Sequence, residues 1–276
     1  MSSKNIIAVL GPTAVGKTDK AIELAIEHQC PVISCDSRQL YTELNIGVAK
    51  PDADQLAKVK HYFISNISIH EHYTAGRYAA DARQLINQLF DTFDTLVVVG
   101  GTGLYIKALL EGLDQLPERN EALRDELDNS LEKEGIETLQ KRLREKSEEI
   151  YAKTEILNPQ RLIRAIEIAE GRTIRNTDIP AFKYPFELKT IVMEMERERL
   201  YERINLRVDM MIEAGLEEEA RGLYSMRELN ALQTVGYSEW WPFFEGEYSR
   251  EKAIELIKQH SRNYAKRQIT WFKNQI

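Results

Sequence analysis

Short, mostly apolar runs alternate with stretches of helical periodicity in the first part of the chain. Residues 6–10, 31–35 and 96–99 are runs with the length of a strand that is covered on both faces. Between them, apolar positions recur at helical spacing at 21–25 and at 78–89. Strands that alternate with helices indicate an α/β fold, with a parallel sheet flanked by helices.

The pattern changes near residue 113. Residues 118–171 are rich in Glu, Lys, Arg and Leu, with apolar positions at helical spacing and no strand pattern. Further on, residues 188–193 are typical of a strand that returns to the sheet, and residues 200–212 of a long amphipathic helix. We therefore predict a core made of residues 1–112 and 186–276, with an inserted all-helical subdomain at 113–185.

The composition is that of a folded protein outside the membrane. Of the 276 residues, 43% are hydrophobic and 29% are charged, which is enough to bury a core. No run approaches the roughly 18 apolar residues of a membrane span. The apolar run that ends at Leu10 does not form a signal peptide, and Cys30 and Cys35 do not suggest a disulfide framework. We expect a cytoplasmic protein that does not contact a membrane.

The distribution of charge bears on possible partners. A net charge of −7 argues mildly against binding to nucleic acid. Positive charge nevertheless clusters near the C-terminus, where no acid follows Glu255. Such a cluster is either a solvated helix face, which is the more common case, or an RNA-binding surface. Its members are Lys258, Arg262, Lys266, Arg267 and Lys273.

The segment after the first predicted strand matches the phosphate-binding pattern G-x-x-x-x-G-K-[ST] in full. Its glycines let backbone N–H groups turn toward phosphate oxygens, and the helix that follows adds its positive end. Lys17 would place a charge on the terminal phosphates, and the Thr18 hydroxyl would bind Mg²⁺. The pattern alone does not decide the reaction, nor whether a nucleotide such as ATP binds. We predict a P-loop α/β core whose phosphate ligands are Gly11, Pro12, Thr13, Ala14, Val15, Gly16, Lys17 and Thr18.

Asp36 follows the second predicted strand. Because the carboxyl ends of parallel strands meet at one edge of the sheet, Asp36 should lie close to the phosphate loop. The residues leave its role open among a general base, a metal ligand through water, and a turn or helix cap. An ordinary P-loop NTPase carries an Asp at the end of a later strand, whereas the run 96–99 continues here into Gly100.

Together, these segments resemble the tRNA dimethylallyltransferases, also called tRNA isopentenyltransferases, over nearly the whole chain. The segments that begin at Asp36 and at Lys266 are specific to that family, whereas the phosphate loop alone is not. The family's members usually continue further beyond the last of these segments. The resemblance is carried by residues 11–18, 36–51, 100–105, 158–165, 234–237 and 266–272.

The resemblance implies transfer of a dimethylallyl group from dimethylallyl diphosphate to the exocyclic N6 amine of the adenine on the 3′ side of the anticodon. It implies that the phosphate loop, Lys17 and Thr18 hold the diphosphate with Mg²⁺, and that Asp36 takes a proton from the amine. The implied partner is the anticodon stem-loop of tRNA, and we expect a monomer. The positions implied to contact tRNA are Asp36, Ser37, Arg38, Gln39, Thr102, Arg124, Gln160, Arg161, Leu162, Ile163, Arg164, Gly236, Tyr237, Lys266, Arg267, Gln268 and Trp271.

Two other functions are the alternatives. A small-molecule kinase would consume ATP in the absence of RNA, and a non-catalytic RNA-binding protein would bind RNA regardless of diphosphate and Mg²⁺. Neither explains residues 36–39 together with residues 266–272. Taken singly, Arg161 and Arg164 are ordinary surface charges and Trp271 is an ordinary packing residue. The histidines lack metal-ligand spacing, and we assign them no role.

Overall fold

The computed structural model describes residues 3–113, 117, 119–171 and 182–275. The chain divides into two compact units. The larger unit comprises Met1–Gly112 with Ile179–Ile276, and the smaller comprises Leu113–Asp178. Within the described residues, no helix combines the length and the apolar character that crossing a membrane requires.

A five-stranded parallel sheet forms the centre of the larger unit. Ile6 pairs with Leu96 on one side and with Leu188 on the other, so the first strand lies inside the sheet. The predicted α/β fold with a parallel sheet is confirmed. The strands are β1 (Lys4–Leu10), β2 (Val32–Cys35), β3 (His61–Tyr62), β4 (Thr95–Gly100) and β5 (Phe186–Val192), in the spatial order β3-β2-β4-β1-β5. The two-residue β3 was not predicted, because so short a strand shows no periodicity.

Four helices of the larger unit precede the insertion. The apolar face of α1, at Ala21, Leu24 and Ala25, packs against Val9 and Val97 of the sheet. The two helices expected from apolar spacing, α1 and α3, are confirmed, whereas α2 and α4 were not predicted. The four are α1 (Lys17–Glu27), α2 (Ala53–Lys58), α3 (Ala75–Leu89) and α4 (Gly103–Leu110).

The smaller unit is helical in its described residues, as predicted. Its helices are α5 (Glu121–Glu134), α6 (Ile136–Lys146), α7 (Glu148–Lys153) and α8 (Pro159–Glu170). They pack around Leu127, Leu139, Leu143, Leu162, Ile163, Ala165 and Ile166. α7 was not predicted as a separate helix.

The chain returns to the larger unit through β5, as predicted. Four helices follow: α9 (Arg197–Glu213), α10 (Leu216–Leu223), α11 (Trp241–Phe244) and α12 (Arg250–Gln275). Val15 of the phosphate loop packs in one cluster with Leu200 and Ile204 of α9 and with Ala265 of α12. These two helices therefore lie against the carboxyl edge of the sheet, where β1 ends.

Candidate active site

The phosphate loop connects β1 to α1 at the predicted position. Gly16 has φ +101°, a backbone conformation that residues with a Cβ rarely adopt. The Lys17 ammonium donates a hydrogen bond to the Pro12 carbonyl at 2.7 Å, across the mouth of the loop. Burial lowers the pKa of Lys17 to about 8, against the opposing effect of the nearby Asp36 carboxylate. Lys17 is therefore a partly desolvated cation beside the loop's backbone N–H groups.

Two arginines of α9 also contact the loop, and the sequence analysis did not identify them. Arg207 donates to the Thr13 hydroxyl at 3.0 Å, and Arg203 donates to the Ala14 carbonyl at 2.9 Å. They lie one helical turn apart, so both project from the same side of α9. An i,i+4 arginine pair on the polar face of an amphipathic helix was the available signal, but nothing in the sequence placed that helix beside the loop. Together with Lys17 they concentrate positive charge where phosphates would bind.

Gln268 of α12 holds the phosphate loop from inside the protein. Its Oε1 accepts the Thr13 backbone N–H at 2.8 Å, and its Nε2 donates to the Gly101 carbonyl at 2.8 Å. With the residue only 7% exposed, both ends of the amide are bound internally. Gln268 thus positions the phosphate loop, and its predicted tRNA contact stays a prediction.

The glycines of the Gly101-Thr102-Gly103 segment leave room for α12. A Cβ on Gly103 would lie 2.3 Å from the Trp271 indole, and one on Gly101 would lie 2.4 Å from the Gln268 amide nitrogen. The indole therefore packs directly on the backbone at the start of α4. Trp271 therefore packs against the start of α4, and its predicted tRNA contact stays a prediction.

Asp36 forms a turn at the end of β2 and also faces the site. Its Oδ1 accepts the backbone N–H groups of Arg38 at 2.9 Å and Gln39 at 3.3 Å, which is the turn that the sequence analysis left open. Among the described residues Oδ2 receives no hydrogen bond, and Asp36 lines cavities on two sides. One oxygen therefore fixes the turn while the other is available to a ligand.

The side chains that follow Asp36 bind mainly to the backbone of neighbouring segments. Arg38 donates to the carbonyls of Asn230 and Ala231 at 2.9 and 3.2 Å. Gln39 donates to the Ala49 carbonyl at 3.0 Å, and the Ser37 backbone N–H donates to the Thr102 hydroxyl at 3.2 Å. These residues build the walls of the site, and their predicted tRNA contacts stay predictions.

The Gly236–Tyr237 turn is largely internal. Tyr237 is fully buried, and its hydroxyl donates to Glu219 at 2.6 Å while its ring packs on Gly47. A side chain with no exposure cannot reach an RNA, so the predicted tRNA contact of Tyr237 is corrected to packing. The Gly236 N–H donates to Glu239 at 2.9 Å.

In the smaller unit, the predicted tRNA-binding residues differ in exposure. Leu162 and Ile163 are 0% and 1% exposed in the helical core, so their predicted RNA contact is corrected to packing. Arg124 and Arg164 both pair with the buried Glu167, which compensates its charge. Gln160 and Arg161 lie on the surface, where Arg161 pairs with Glu155.

Two adjoining cavities meet at Asp36 in the larger unit. One, of about 610 Å³, is lined by Lys17, Thr18 and the rest of the phosphate loop. The other, of about 620 Å³, extends toward Arg267 of α12 and toward residues 233–236, 238 and 239. Both are lined by Thr13, Asp36, Val48, Ala49, Arg207 and Tyr264. The Asp36 carboxylate thus lies where a ligand in the first cavity would meet a ligand in the second.

Tyr264 of α12 also lines both cavities, and the sequence did not point to it. Burial, with a further contribution from the Asp36 carboxylate, raises the pKa of its hydroxyl to about 12. The phenol is consequently neutral at physiological pH. It can donate a hydrogen bond but cannot serve as a base there.

The donor groups at the phosphate loop fit a magnesium ion that is shared with a ligand. Among the described residues there is no group of three or more His, Cys, Asp or Glu side chains that could hold a metal alone. Magnesium often takes only one or two protein oxygens, the rest being waters and substrate phosphates. Thr18 and Asp36, which line the same cavity, are oxygen donors of that kind.

The fold and the loop define an α/β protein of the P-loop class. A family model for IPP transferases matches residues 39–275. The chain therefore belongs to the IPP transferase family, and it is an enzyme. It is 46% identical over 273 residues to the tRNA dimethylallyltransferase of Cytophaga hutchinsonii, covering 98% of this chain and 90% of that protein.

Solved structures resemble the whole chain as well. The full-length tRNA isopentenylpyrophosphate transferase of Bacillus halodurans is 35% identical, with a TM-score of 0.71, and the match covers 99% of this chain and 88% of that one. A eukaryotic dimethylallyltransferase acting on tRNA is 25% identical, with a TM-score of 0.76, and the match covers 98% and 70% of the two chains.

Proposed function

We propose that this enzyme transfers a dimethylallyl group from dimethylallyl diphosphate to the N6 amine of the adenine on the 3′ side of the tRNA anticodon. The observation that carries the proposal is the meeting of the two cavities at Asp36. Such a reaction needs a diphosphate site, an acceptor site, and a base between them. The activities named for the similar proteins agree with this arrangement.

The diphosphate binds at the phosphate loop. Backbone N–H groups, Lys17, Arg203 and Arg207 offer hydrogen bonds and positive charge where negative charge develops as the diphosphate leaves. Thr18 would hold Mg²⁺ together with the phosphate oxygens, with Asp36 within the same cavity; the ion would neutralise charge on the leaving group. The Lys17 ammonium exchanges its hydrogen bond with Pro12 for one with the diphosphate.

Asp36 acts as the general base. The exocyclic amine of adenine is nearly non-basic, because its lone pair is delocalised into the ring. It attacks the allylic carbon as its proton passes to Asp36 Oδ2. The carbon–nitrogen bond forms, the carbon–oxygen bond to the diphosphate breaks, and diphosphate leaves. A base of this kind is typically worth about 10²- to 10⁴-fold in rate.

The acceptor adenine enters the second cavity after leaving the stack of the anticodon loop, which costs a few kcal/mol. Lys266 and Arg267 are exposed on α12, and Arg267 lines this cavity, so they are suited to binding RNA phosphates. Gln160 and Arg161 of the smaller unit are further predicted contacts. A monomer in the cytoplasm remains the prediction from the sequence.

The decisive assay incubates the enzyme with labelled dimethylallyl diphosphate, Mg²⁺ and unmodified tRNA, and measures label in the RNA. We expect label in tRNA that contains an adenine 3′ to the anticodon, and none when that adenine is replaced by guanine. ATP consumption in the absence of RNA would instead favour a small-molecule kinase.

A further inference from the structure

A largely buried carboxylate, that of Glu239, lies in the lining of the second cavity. Glu239 is 4% exposed. Its Oε2 accepts the Gly236 backbone N–H at 2.9 Å, and its Oε1 lies 2.7 Å from Nδ1 of His260 on α12. Neither Glu239 nor His260 has a part in the reaction described above. Gly236 has φ +98°, a backbone conformation that residues with a Cβ rarely adopt. The hydrogen bond that its N–H donates to Glu239 also fixes this turn.

This contact determines which nitrogen of His260 is free. A carboxylate accepts hydrogen bonds and does not donate them, so Nδ1 of the imidazole carries the hydrogen. In the neutral ring, Nε2 then holds a lone pair and can only accept. Nε2 lies across the ring from Nδ1 and therefore points away from Glu239. It receives no hydrogen bond within the part of the chain that the structure describes.

His260 belongs to the face of α12 that lines the acceptor cavity. Its side chain is 44% exposed, and it lines the cavity together with Ser261, Tyr264 and Arg267. These positions follow one another at helical spacing toward the Asp36 junction. An exposed histidine does not require a buried carboxylate as its hydrogen-bond partner. Here the carboxylate holds the ring in one orientation and one tautomer, beside the space that the acceptor enters.

We propose that His260 Nε2 accepts a hydrogen bond from a donor group of the RNA acceptor, and that Glu239 is the residue that positions it. The group is a ribose 2′-hydroxyl or a base amine, because a nitrogen lone pair recognises these and not phosphate or carbonyl oxygens. The inference rests on the proposed function, in which the cavity receives RNA.

Two variants separate the nitrogens of the ring. The amide nitrogen of asparagine occupies the position of Nδ1, so His260→Asn retains the hydrogen bond to Glu239 and removes Nε2. Glutamine places its amide near Nε2, so His260→Gln breaks the hydrogen bond to Glu239 and retains the acceptor. The matched control is His28→Asn, an exposed histidine beyond the end of α1.

We expect His260→Asn to raise KM for tRNA by about 3- to 10-fold, the typical worth of one hydrogen bond. KM for dimethylallyl diphosphate and the melting temperature should stay as in the wild type. His260→Gln should recover most of the tRNA affinity while melting lower. A His260→Asn variant with wild-type KM for tRNA, or with an equal rise in both KM values, would overturn the inference.

The source of the donor group is tested with an anticodon stem-loop that carries 2′-deoxyribose in the loop. If a 2′-hydroxyl is recognised, His260→Asn adds no further loss on this acceptor. If a base amine is recognised, His260→Asn raises KM by the same factor for the acceptor with ribose and for the acceptor with 2′-deoxyribose.

Failure of the inference can be told apart from failure of the proposed function. A wild-type enzyme that does not prenylate RNA refutes the function. The tautomer is tested without RNA by long-range ¹H–¹⁵N NMR of the neutral ring, which should show the hydrogen on Nδ1. A hydrogen on Nε2 would refute the inference alone.

Discussion

The side chain of Gln268 accepts the backbone N–H of Thr13 at 2.8 Å, across 255 positions of the chain. The same amide donates to Gly101, so one buried residue of α12 ties the turn after β1 to the turn after β4. The geometry of the phosphate loop therefore depends on the last helix. This relationship can be tested directly.

Gln268→Leu should leave the N–H of Thr13 and the carbonyl of Gly101 without their partner. We expect a loss of about 1–3 kcal/mol in the free energy of unfolding, together with a higher KM for the donor, because a polar group that loses its internal partner carries its desolvation cost. Chemical denaturation and steady-state kinetics measure the two effects. Gln259→Leu, an exposed position on the same helix, is the control and should change neither.

Lys17 should make donor binding depend on pH. With a folded-state pKa of about 8, the ammonium is mostly charged at pH 7 and mostly neutral at pH 9. The affinity of the wild type for dimethylallyl diphosphate should thus fall by up to about tenfold over this interval. In Lys17→Met, binding of dimethylallyl diphosphate should be weak at both pH 7 and pH 9. The pH dependence that remains in this variant should come only from the ionisation of the donor itself. Calorimetric titration with the donor measures the affinity at each pH. Parallel pH profiles for the wild type and Lys17→Met would argue against this role of Lys17.

Lowering this pKa on folding also has a defined effect on stability. The folded state binds the proton less readily than the unfolded state, so the desolvation of the charged amine destabilises the fold below about pH 8. That cost is relieved progressively as the pH rises from 8 toward the ordinary lysine range. Lys17→Met should therefore raise the melting temperature at pH 7 by more than at pH 10.

Asp36→Asn should separate the turn from the chemistry. The amide oxygen can still accept the N–H groups of Arg38 and Gln39, so the melting temperature should hardly change. The amide cannot take the proton from the amine, so single-turnover rates should fall by about 10²-fold or more with donor affinity retained. Asp36→Ala should additionally lose about 1 kcal/mol of stability with the turn. Rescue of the asparagine variant by added Mg²⁺ would assign Asp36 to metal binding instead.

Lys266 and Arg267 should contribute to tRNA affinity by neutralising phosphates. Replacing both with alanine should weaken tRNA binding and reduce the slope of log K against log salt by about one unit for each phosphate that is no longer neutralised. Filter binding over a range of salt concentrations measures the slope. The control Lys252→Ala, near the other end of α12, should leave the slope unchanged. An unchanged slope in the double variant would show that Lys266 and Arg267 belong to a solvated helix face that does not bind RNA.

Gly103→Ala should destabilise the protein although alanine is the better helix residue. Its Cβ would meet the Trp271 indole at 2.3 Å, and such overpacking typically costs about 1–3 kcal/mol. Gly222→Ala on α10, where no atom lies within 4 Å of the added Cβ, should instead stabilise by up to about 1 kcal/mol. Comparing the two by thermal unfolding separates packing from helix propensity. Equal effects would show that the indole moves freely.

The predictions from sequence succeeded where the information is local. The strands that form the sheet centre and the helix after the phosphate loop follow from apolar spacing within about a dozen neighbouring residues. The position of Asp36 beside the loop follows from a general property of parallel sheets, since both lie at strand carboxyl ends.

Matches between blocks of sequence did not distinguish residues that face a ligand from residues that hold the site together. Tyr237, Gln268, Leu162 and Ile163 all lie in segments that resemble the family, yet their side chains are buried. A motif records that a residue type is needed at a position. It does not record the direction in which the side chain points.

The sequence by itself determined the α/β class, the phosphate loop and the helical insertion, because each depends on local periodicity or on a contiguous pattern. Only the tertiary structure decided that Arg207 lies against Thr13, that Glu239 orients His260, and that two cavities meet at Asp36. Those relationships join residues tens to hundreds of positions apart. They are set by the packing of α9 and α12 against the edge of the sheet, which no local pattern encodes.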